Sequence, residues 1–279
     1  MNFITGEKIQ SIAELVIGTS KQFKFHKTFN KFTNNYLIIE NQDQVISNLN
    51  KIKSSKTIFI YGDYIPFFID NIIKYLDKII LLTHNGDNGV DFKYYNYLDN
   101  ENILRWYGVN IQFNHPKLTA LPIGIANSQW KHGNLKLLEK IVNKNNSKNN
   151  LLYINFSVKT NPGKRKEIKN ILSKNFDICE KKLCQEEYLN NLSKYKFSIS
   201  PPGNGIDCHR TWESLYLGVI PIVENHVHNL QFQDLPILII NDWNNINKEY
   251  LEKIYQEFKN KKFNLEKLSL KYWEKEINV

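Results

Sequence analysis

Short apolar runs, separated by polar or helix-like stretches, set the pattern along the first half of the chain. Four of these runs indicate buried strands, because β-branched and aromatic residues fill them with little alternation. They are NYLIIE, TIFIYG, KIILLTH and LTALPIGI, at residues 35–40, 57–62, 78–84 and 118–125. Between the second and the third, apolar residues of 64–78 recur at helical spacing. Strand, helix and strand in this order predict a parallel βαβ unit.

The same pattern restarts in the second half after a polar interruption. Residues 134–142 predict an amphipathic helix, and the tract NKNNSKNN that follows predicts an exposed linker, because its composition offers nothing to bury. Further strands are expected at 151–157, 196–201, 218–224 and 235–242, with a basic helix over 161–172 and one or two closing helices after residue 247. We therefore predict an α/β protein of two Rossmann-like domains, residues 1–132 and 133–279, with a closing C-terminal helix.

The stretch SISPPGNGIDCHRTWESLYLGVIPIV, residues 198–223, concentrates glycine, proline, acid and base between two apolar runs. KFSIS predicts a strand, and the loop PPGNGIDCHR leaves its carboxyl end, where open parallel sheets bind ligands. Gly203 and Gly205 let the backbone approach a ligand closely. A helix is expected next, with Asp207 as its amino-terminal cap and Gly218 as its end.

Arg210 and Glu213 are three residues apart and therefore share one face of this helix. If that face meets a ligand, Arg210 can pair with a diphosphate while Glu213 accepts hydrogen bonds from a ribose diol. The alternative is a surface ion pair worth a few tenths of a kcal/mol. Taken alone, the spacing favours the surface pair. The glycine loop before it and the Gly218 turn after it favour a nucleotide-sugar site.

These residues resemble the donor-binding segment of exostosin-like glycosyltransferases, which has a glycine loop, an Arg, an acid three residues on, and a Gly and Pro before a buried strand. Residues 121–130 and 151–168 are similar to other parts of related bacterial and viral sugar transferases. The resemblance implies a GT-B fold, two Rossmann-like domains facing each other across a cleft, with the acceptor on the side of residues 1–132 and the donor held by residues 133–279. It places the donor at the loop of Gly203, Asn204, Gly205 and Asp207, with Arg210 and Arg165 at its phosphates and Glu213 at its ribose.

The resemblance favours UDP as the nucleotide and implies no required metal. The nucleotide sugar is the substrate, and no cofactor is expected. Animal exostosin proteins carry much larger amino-terminal regions, so the identity of the acceptor cannot be carried over.

A transferase that inverts the anomeric centre needs a general base to take the acceptor proton. Candidates follow predicted strands of the first domain: Asp63 in YGDY, and His84 and Asp87 in THNGDNGVD, with the last two the leading pair. The alternative for NGDNG is a plain turn, since Asn, Asp and Gly all suit turns. Asp87 and Asp91 are too far apart for a DxD metal motif.

Composition changes this picture little. The chain is 42% hydrophobic and 13% aromatic, which suits a globular protein, and its net charge of +9 favours anionic partners such as nucleotides, nucleic acid or an acidic membrane. Because the basic residues are dispersed, a nucleotide is preferred to nucleic acid. The chain has three cysteines and no DxD or CxxC pair, and charged residues interrupt its apolar amino terminus. These features predict a cytoplasmic protein and are compatible with peripheral contact with a membrane.

The sequence therefore predicts an enzyme: a metal-independent glycosyltransferase that moves a sugar from a nucleoside diphosphate sugar to a hydroxyl of a glycan or glycoconjugate, as in polysaccharide biosynthesis. Two alternatives stay open. One is a basic nucleic-acid-binding protein, and the other is a GT-B protein that binds a nucleotide sugar without turnover.

Overall fold

The computed structural model describes residues 2–26 and 35–278 of the 279. The ten strands are β1 Leu15–Gly18, β2 Tyr36–Ile38, β3 Thr57–Tyr61, β4 Ile79–His84, β5 Ile103–Gly108, β6 Leu118–Ala120, β7 Asn150–Tyr153, β8 Tyr195–Ile199, β9 Ile220–Glu224 and β10 Leu238–Ile240. The α-helices are α1 Gly6–Gln10, α2 Ser20–Phe25, α3 Gln42–Ser47, α4 Leu49–Ser54, α5 Ile65–Asn71, α6 Leu135–Val142, α7 Pro162–Leu172, α8 Gln185–Leu192, α9 His209–Tyr216, α10 Val227–Leu230, α11 Lys248–Asn260 and α12 Leu270–Ile277.

The chain divides into two compact units. The six-stranded unit comprises Ile4–Gln129 with Leu270–Val279, and the four-stranded unit comprises Met1–Phe3 with Trp130–Ser269. Helix α12 thus belongs to the six-stranded unit, where it contacts α1. Residues 130–132, which the sequence assigned to the first domain, belong to the four-stranded unit.

The six-stranded sheet is parallel throughout and has the order β2-β1-β3-β4-β5-β6. Every residue of β3 is buried, as the continuous apolar run predicted, because helices and loops cover both faces of such a sheet. The helix expected over 64–78 forms as α5 and a short 3₁₀ turn, Ile73–Tyr75. Two strands, β1 and β5, were not predicted. Each is short or carries exposed residues such as Leu104 and Arg105, which weakens the apolar signal.

The four-stranded sheet is also parallel, in the order β10-β9-β8-β7. Alternate positions of its strands pack with α7 and α11 into one apolar core. The buried residues of that core are Leu152, Ile154, Ile168, Leu172, Phe197, Ile199, Ile220, Ile222, Leu238, Ile240, Trp243, Ile246 and Leu251. The fold class is therefore confirmed as α/β with two parallel sheets, consistent with two Rossmann-like domains, and the chain closes on a helix.

The polar tract before β7 does more than link. Lys148 donates to the carbonyl oxygens of Ser193 and Leu217, at 2.6 Å each, and so ties together the carboxyl ends of α8 and α9. Burial lowers the pKa of Lys148 to about 8. The expectation of an exposed linker is wrong at this residue, because helix C-terminal carbonyls provide partners for a partly buried ammonium group.

Helix α9 ends as the sequence predicted. Gly218 has a φ of +66°, and the amide N–H of Val219 donates to Ser214 O while that of Gly218 donates to Leu215 O. This is a Schellman motif, which needs a residue that tolerates the left-handed region. Of the helices in residues 2–26 and 35–278, none is long and apolar enough to span a bilayer.

Two Gly→Ala substitutions in the four-stranded unit should have opposite effects. Gly218→Ala should lower the free energy of unfolding by about 1 kcal/mol through left-handed strain alone, since the nearest atom to an added Cβ is Lys148 Cε at 3.9 Å. Gly163→Ala, in the first turn of α7 with no atom within 4 Å, should raise it by about 0.5 kcal/mol. Urea denaturation measures both, and equal changes of the same sign would contradict the assignment.

Candidate functional site

Strand β8 separates an apolar face from a polar one. Phe197 and Ile199 point into the core shared with α7 and α11, while Ser198 and Ser200 alternate with them and are buried on the opposite face. Helix α9 covers this second face through hydroxyl pairs: Ser198 Oγ lies 2.7 Å from Ser214 Oγ, and Ser200 Oγ lies 2.8 Å from Thr211 Oγ1. A polar seam therefore lies beneath the helix that carries Arg210 and Glu213.

The seam has a defined direction of hydrogen bonding. Ser214 Oγ donates its single proton to Arg210 O at 2.7 Å, so Ser198 must be the donor to Ser214. The two hydroxyl pairs fix the position of α9 on the sheet, and thereby the positions of the side chains in its first turns.

Arg165 holds the glycine loop between β8 and α9. Its Nε donates to Pro202 O at 2.8 Å and its Nη2 to Pro201 O at 2.9 Å, while Nη1 binds the other loop, at Ser157 O and Thr160 Oγ1. The side chain is only 5% exposed. All three guanidinium nitrogens therefore serve protein acceptors, which makes Arg165 a positioning group for the loop in this structure.

Gly203 is required by this clasp. A Cβ atom at position 203 would lie 2.9 Å from Arg165 Nη2, so a larger residue would displace the guanidinium. The loop also closes on itself, with the Gly203 amide donating to Gly205 O at 2.9 Å. Asn204, between them, is exposed at the tip of the loop.

Asp207 was predicted to cap α9, and that prediction is wrong by one residue. Cys208 occupies the cap position and makes no side-chain cap hydrogen bond. The buried Asp207 carboxylate instead accepts from Trp212 Nε1 at 2.8 and 3.0 Å and from the Cys208 amide at 2.8 Å, and His228 Nε2 lies 3.4 Å from it. Asp207 thus ties the loop to the body of α9 through Trp212 and lies against His228 of α10.

The Cys208 thiol is not poised as a nucleophile. It donates to Pro201 O at 3.4 Å, and burial raises its pKa, with Arg210 and Arg165 opposing that rise. A protonated, enclosed thiol of this kind acts as a packing group.

Glu213 is the buried acid of the site, with 6% of its surface exposed. Burial raises its pKa, while the charge of Arg210 and the Tyr188 hydroxyl oppose that rise. Arg210 is partly buried, and its Nε is enclosed without a hydrogen-bond partner among the described residues. The predicted Arg–Glu pair is therefore not an exposed surface ion pair.

Two tyrosines that the sequence did not single out surround this pair. Tyr153, at the end of β7, and Tyr188, on α8, have ring centroids 6.0 Å apart, and both hydroxyl oxygens are enclosed without a partner among the described residues. The Tyr188 hydroxyl acts on the Glu213 carboxylate both through charge and through a side-chain hydrogen-bonding interaction, although the two groups do not reach normal hydrogen-bond geometry. Among the described residues, the Tyr153 hydroxyl and Arg210 Nε therefore have no hydrogen-bond partner, and the Tyr188 hydroxyl has only Glu213 within reach. The two tyrosines are distant from Glu213 in sequence, and they come near it because α8 and α9 pack on the same face of the sheet.

A cavity of about 380 Å³ lies elsewhere at the carboxyl ends of β9 and β10. Its lining includes the Lys164–Glu224 ion pair, Asn241, Asp242 and Trp243. Trp243 Nε1 donates to Glu224 Oε1 at 2.9 Å. None of the predicted donor-binding residues lines this cavity, so it is separate from the Arg210–Glu213 cluster.

The general-base candidates of the six-stranded unit occupy different environments. His84 is 2% exposed, its Nε2 lies 3.0 Å from Pro122 O, and its Nδ1 accepts from the Asn85 amide. With both ring nitrogens engaged, His84 is held as a structural group. Asp87 is exposed in the loop after β4, and Asp63 is exposed after β3, where it accepts from Gln22 Nε2 at 2.7 Å.

No family model matches the chain, and no curated protein is significantly similar to it. The likeness of residues 198–223 to exostosin-like transferases therefore stays a proposal. Within residues 2–26 and 35–278, no three His, Cys, Asp or Glu side chains converge as metal ligands would.

Replacing Arg165 should loosen the glycine loop. Arg165→Lys keeps the charge but loses the planar fork that reaches Pro201, Pro202 and Ser157 together, and we expect the free energy of unfolding to fall by about 3 kcal/mol. Chemical denaturation and limited proteolysis of the loop measure this effect. The neighbouring exposed Lys166→Ala is the matched control and should change stability by less than about 0.5 kcal/mol.

Glu213→Gln should increase stability at neutral pH, by roughly 1 kcal/mol. A raised folded-state pKa means that the neutral acid is preferred in the fold, so the wild type loses stability as pH rises through that pKa. The advantage of the Gln variant should therefore vanish below pH of about 4, where the wild-type side chain is neutral in both states. Unfolding curves across pH test this, and a destabilised Gln variant at neutral pH would contradict it.

Proposed function

We propose that the protein is a GT-B glycosyltransferase, which transfers a sugar from a nucleoside diphosphate sugar, UDP-sugar favoured, to a hydroxyl of a glycan or glycoconjugate. The observation that carries the proposal is the cluster beside the glycine loop, in which buried Glu213 lies with Arg210 and Tyr188, and Tyr153 lies against Tyr188. Arg210 Nε and the two tyrosine hydroxyls are enclosed and complete no hydrogen bond of normal geometry among the described residues. A nucleotide supplies what this cluster lacks, because phosphate and ribose oxygens are acceptors for the donors and ribose hydroxyls are donors for the carboxylate.

Position supports the same function. The loop leaves the carboxyl end of β8, where ligands of parallel sheets bind, and α9 begins directly after it. In the proposed reaction Arg210 stabilises the diphosphate as it takes up negative charge, and Glu213 holds the ribose. Arg165 contributes by fixing the loop, since its donors are already engaged by backbone carbonyls.

Ionisation of the buried Glu213 carboxyl lowers the stability of the free protein, and such a loss is expected for a group that is retained for binding. A buried carboxylate is less stable than the neutral acid, so the fold retains Glu213 at the expense of stability. Strained or unfavourable polar groups of this kind concentrate at functional sites. A carboxylate that accepts hydrogen bonds from two ribose hydroxyls recovers in the complex the stability that its burial costs in the free protein.

A thermal-shift panel of UDP, GDP, CMP and ADP tests the donor site. One nucleoside diphosphate should raise the melting temperature by several degrees, because a ligand at 100 times its Kd adds about 2.7 kcal/mol to native stability. Arg210→Ala should weaken that ligand by ten- to a hundredfold through loss of charged hydrogen bonds. Arg105→Ala removes the same charge from an exposed site and is the matched control.

Two outcomes would contradict the proposal. One is a folded wild type that responds to none of the four nucleotides, and the other is an equal response in Arg210→Ala and wild type. Release of nucleoside diphosphate from the matching nucleotide sugar, in the presence of a glycan, then separates a transferase from a protein that binds without turnover.

A further inference from the structure

The six-stranded sheet has a topological switch point between β1 and β3. These strands are neighbours, but the chain leaves β1 towards β2 on one side and leaves β3 towards β4 on the other. Connections that run to opposite sides open a crevice at the carboxyl ends of the two strands, which is where open α/β sheets bind ligands. The residues that follow β1 and β3 are therefore placed at the expected ligand position of this unit.

Gly18, the last residue of β1, and Gln22, on α2, lie at this position. A Cβ at Gly18 would lie 2.9 Å from Gln22 Oε1 and from the ring of Tyr61, so only glycine fits there. Thr19 caps α2 in a capping box with Gln22, whose Oε1 accepts from the Thr19 amide at 2.8 Å. Its Nε2 is thereby directed to Asp63 Oδ1 at 2.7 Å, which fixes the carboxylate of the loop after β3.

His26, at the end of α2, completes the cluster. Its ring is stacked on Tyr61, with centroids 4.7 Å apart and planes 12° apart, and Nδ1 is enclosed without a hydrogen-bond partner among the described residues. Asp63 is the charged group that acts on His26. Burial lowers the pKa of His26, while Asp63 and the backbone of Asn85 oppose that effect, so the imidazole is neutral at neutral pH.

We propose that this switch-point crevice binds a sugar hydroxyl and that His26, positioned by its stacking on Tyr61, takes the hydroxyl proton. The inference rests on the proposed glycosyl transfer, for which it supplies the base and the acceptor class. The neutral imidazole has an unshared electron pair, a carboxylate nearby that stabilises the imidazolium, and an aromatic face that holds the ring in place.

The step balances without a further reagent. The acceptor oxygen forms a bond to the anomeric carbon as its proton passes to the His26 imidazole. The bond between that carbon and the diphosphate oxygen breaks, and its electron pair leaves with the nucleoside diphosphate. His26 then returns the proton to water or to the released diphosphate.

The binding part of the inference is tested by NMR on protein with labelled histidine rings. Methyl glycosides of glucose, galactose, mannose and xylose serve as probes, at up to about 0.1 M so that millimolar Kd values are detected. The His26 resonance, assigned from its absence in His26→Gln, should shift saturably with at least one glycoside. His115, which lies 3.5 Å from Asp99 in the same unit, is the internal control and should not shift.

A pH titration of the same resonances examines the link to Asp63. Asp63→Asn should lower the His26 pKa further, because the carboxylate charge that favours the imidazolium is removed. A His26 resonance that ignores every glycoside would overturn the inference, whether or not nucleotides bind elsewhere on the chain.

Catalysis gives the second arm. With the donor identified by the nucleotide panel, His26→Gln should reduce kcat for transfer by 10² to 10⁴ while leaving the thermal shift from nucleoside diphosphate unchanged. His115→Gln should retain both. Transfer by His26→Gln at the wild-type kcat would overturn the base assignment, whereas a wild type without any nucleotide shift is a failure of the proposed function itself.

Discussion

The clasp between the Arg165 guanidinium and the carbonyls of Pro201 and Pro202 is the interaction on which the candidate site depends. A loop rich in proline and glycine cannot stabilise itself, because proline lacks an amide donor and glycine loses the most entropy on folding. Arg165 supplies the hydrogen-bond donors that this loop lacks. It does so from α7, which packs on the apolar face of the sheet, opposite the face that α9 covers. The loop in turn sets where α9 begins, and so places Arg210 and Glu213.

The two faces of the four-stranded sheet divide the work of stability and function. Its apolar face forms a continuous core with α7 and α11, which supplies most of the favourable burial. The other face carries paired hydroxyls, a buried acid and unsatisfied donors under α9, and each of these is neutral or costly for folding. A sheet with one strongly apolar face can support a polar face of this kind, and a ligand that satisfies the donors would offset the cost.

The six-stranded unit places its chemistry by topology. Asp63, His26 and Gln22 come from the segments after two strands that are neighbours in the sheet but lie about 40 residues apart in sequence. His84, the last residue of the next strand, is engaged by the protein at both ring nitrogens, and Asp87 is exposed on the loop that follows it. Histidine and aspartate residues therefore differ in their ability to bind a ligand or take a proton, because the packing around each one decides which of its atoms are already hydrogen-bonded.

The sequence by itself determined the elements whose signals are local. Continuous apolar runs identified most of the buried strands, the restart of the pattern indicated a second sheet, and Gly218 marked the end of α9 because only a left-handed residue completes that turn. It missed β1 and β5, whose apolar signals are short or interrupted. It identified Arg210 and Glu213 as a pair, since residues three apart on a helix share a face.

Only the tertiary structure decided what these residues contact. Arg165 lies 36 and 37 residues from the carbonyls of Pro201 and Pro202 that it binds. Tyr188 on α8 interacts with Glu213 on α9, and Tyr153 at the end of β7 packs against Tyr188. Asp207, predicted as the cap of α9, instead accepts a hydrogen bond from Trp212, and His26 stacks on Tyr61. Burial and hydrogen bonding between distant segments depend on how the whole chain packs, and no local pattern encodes that.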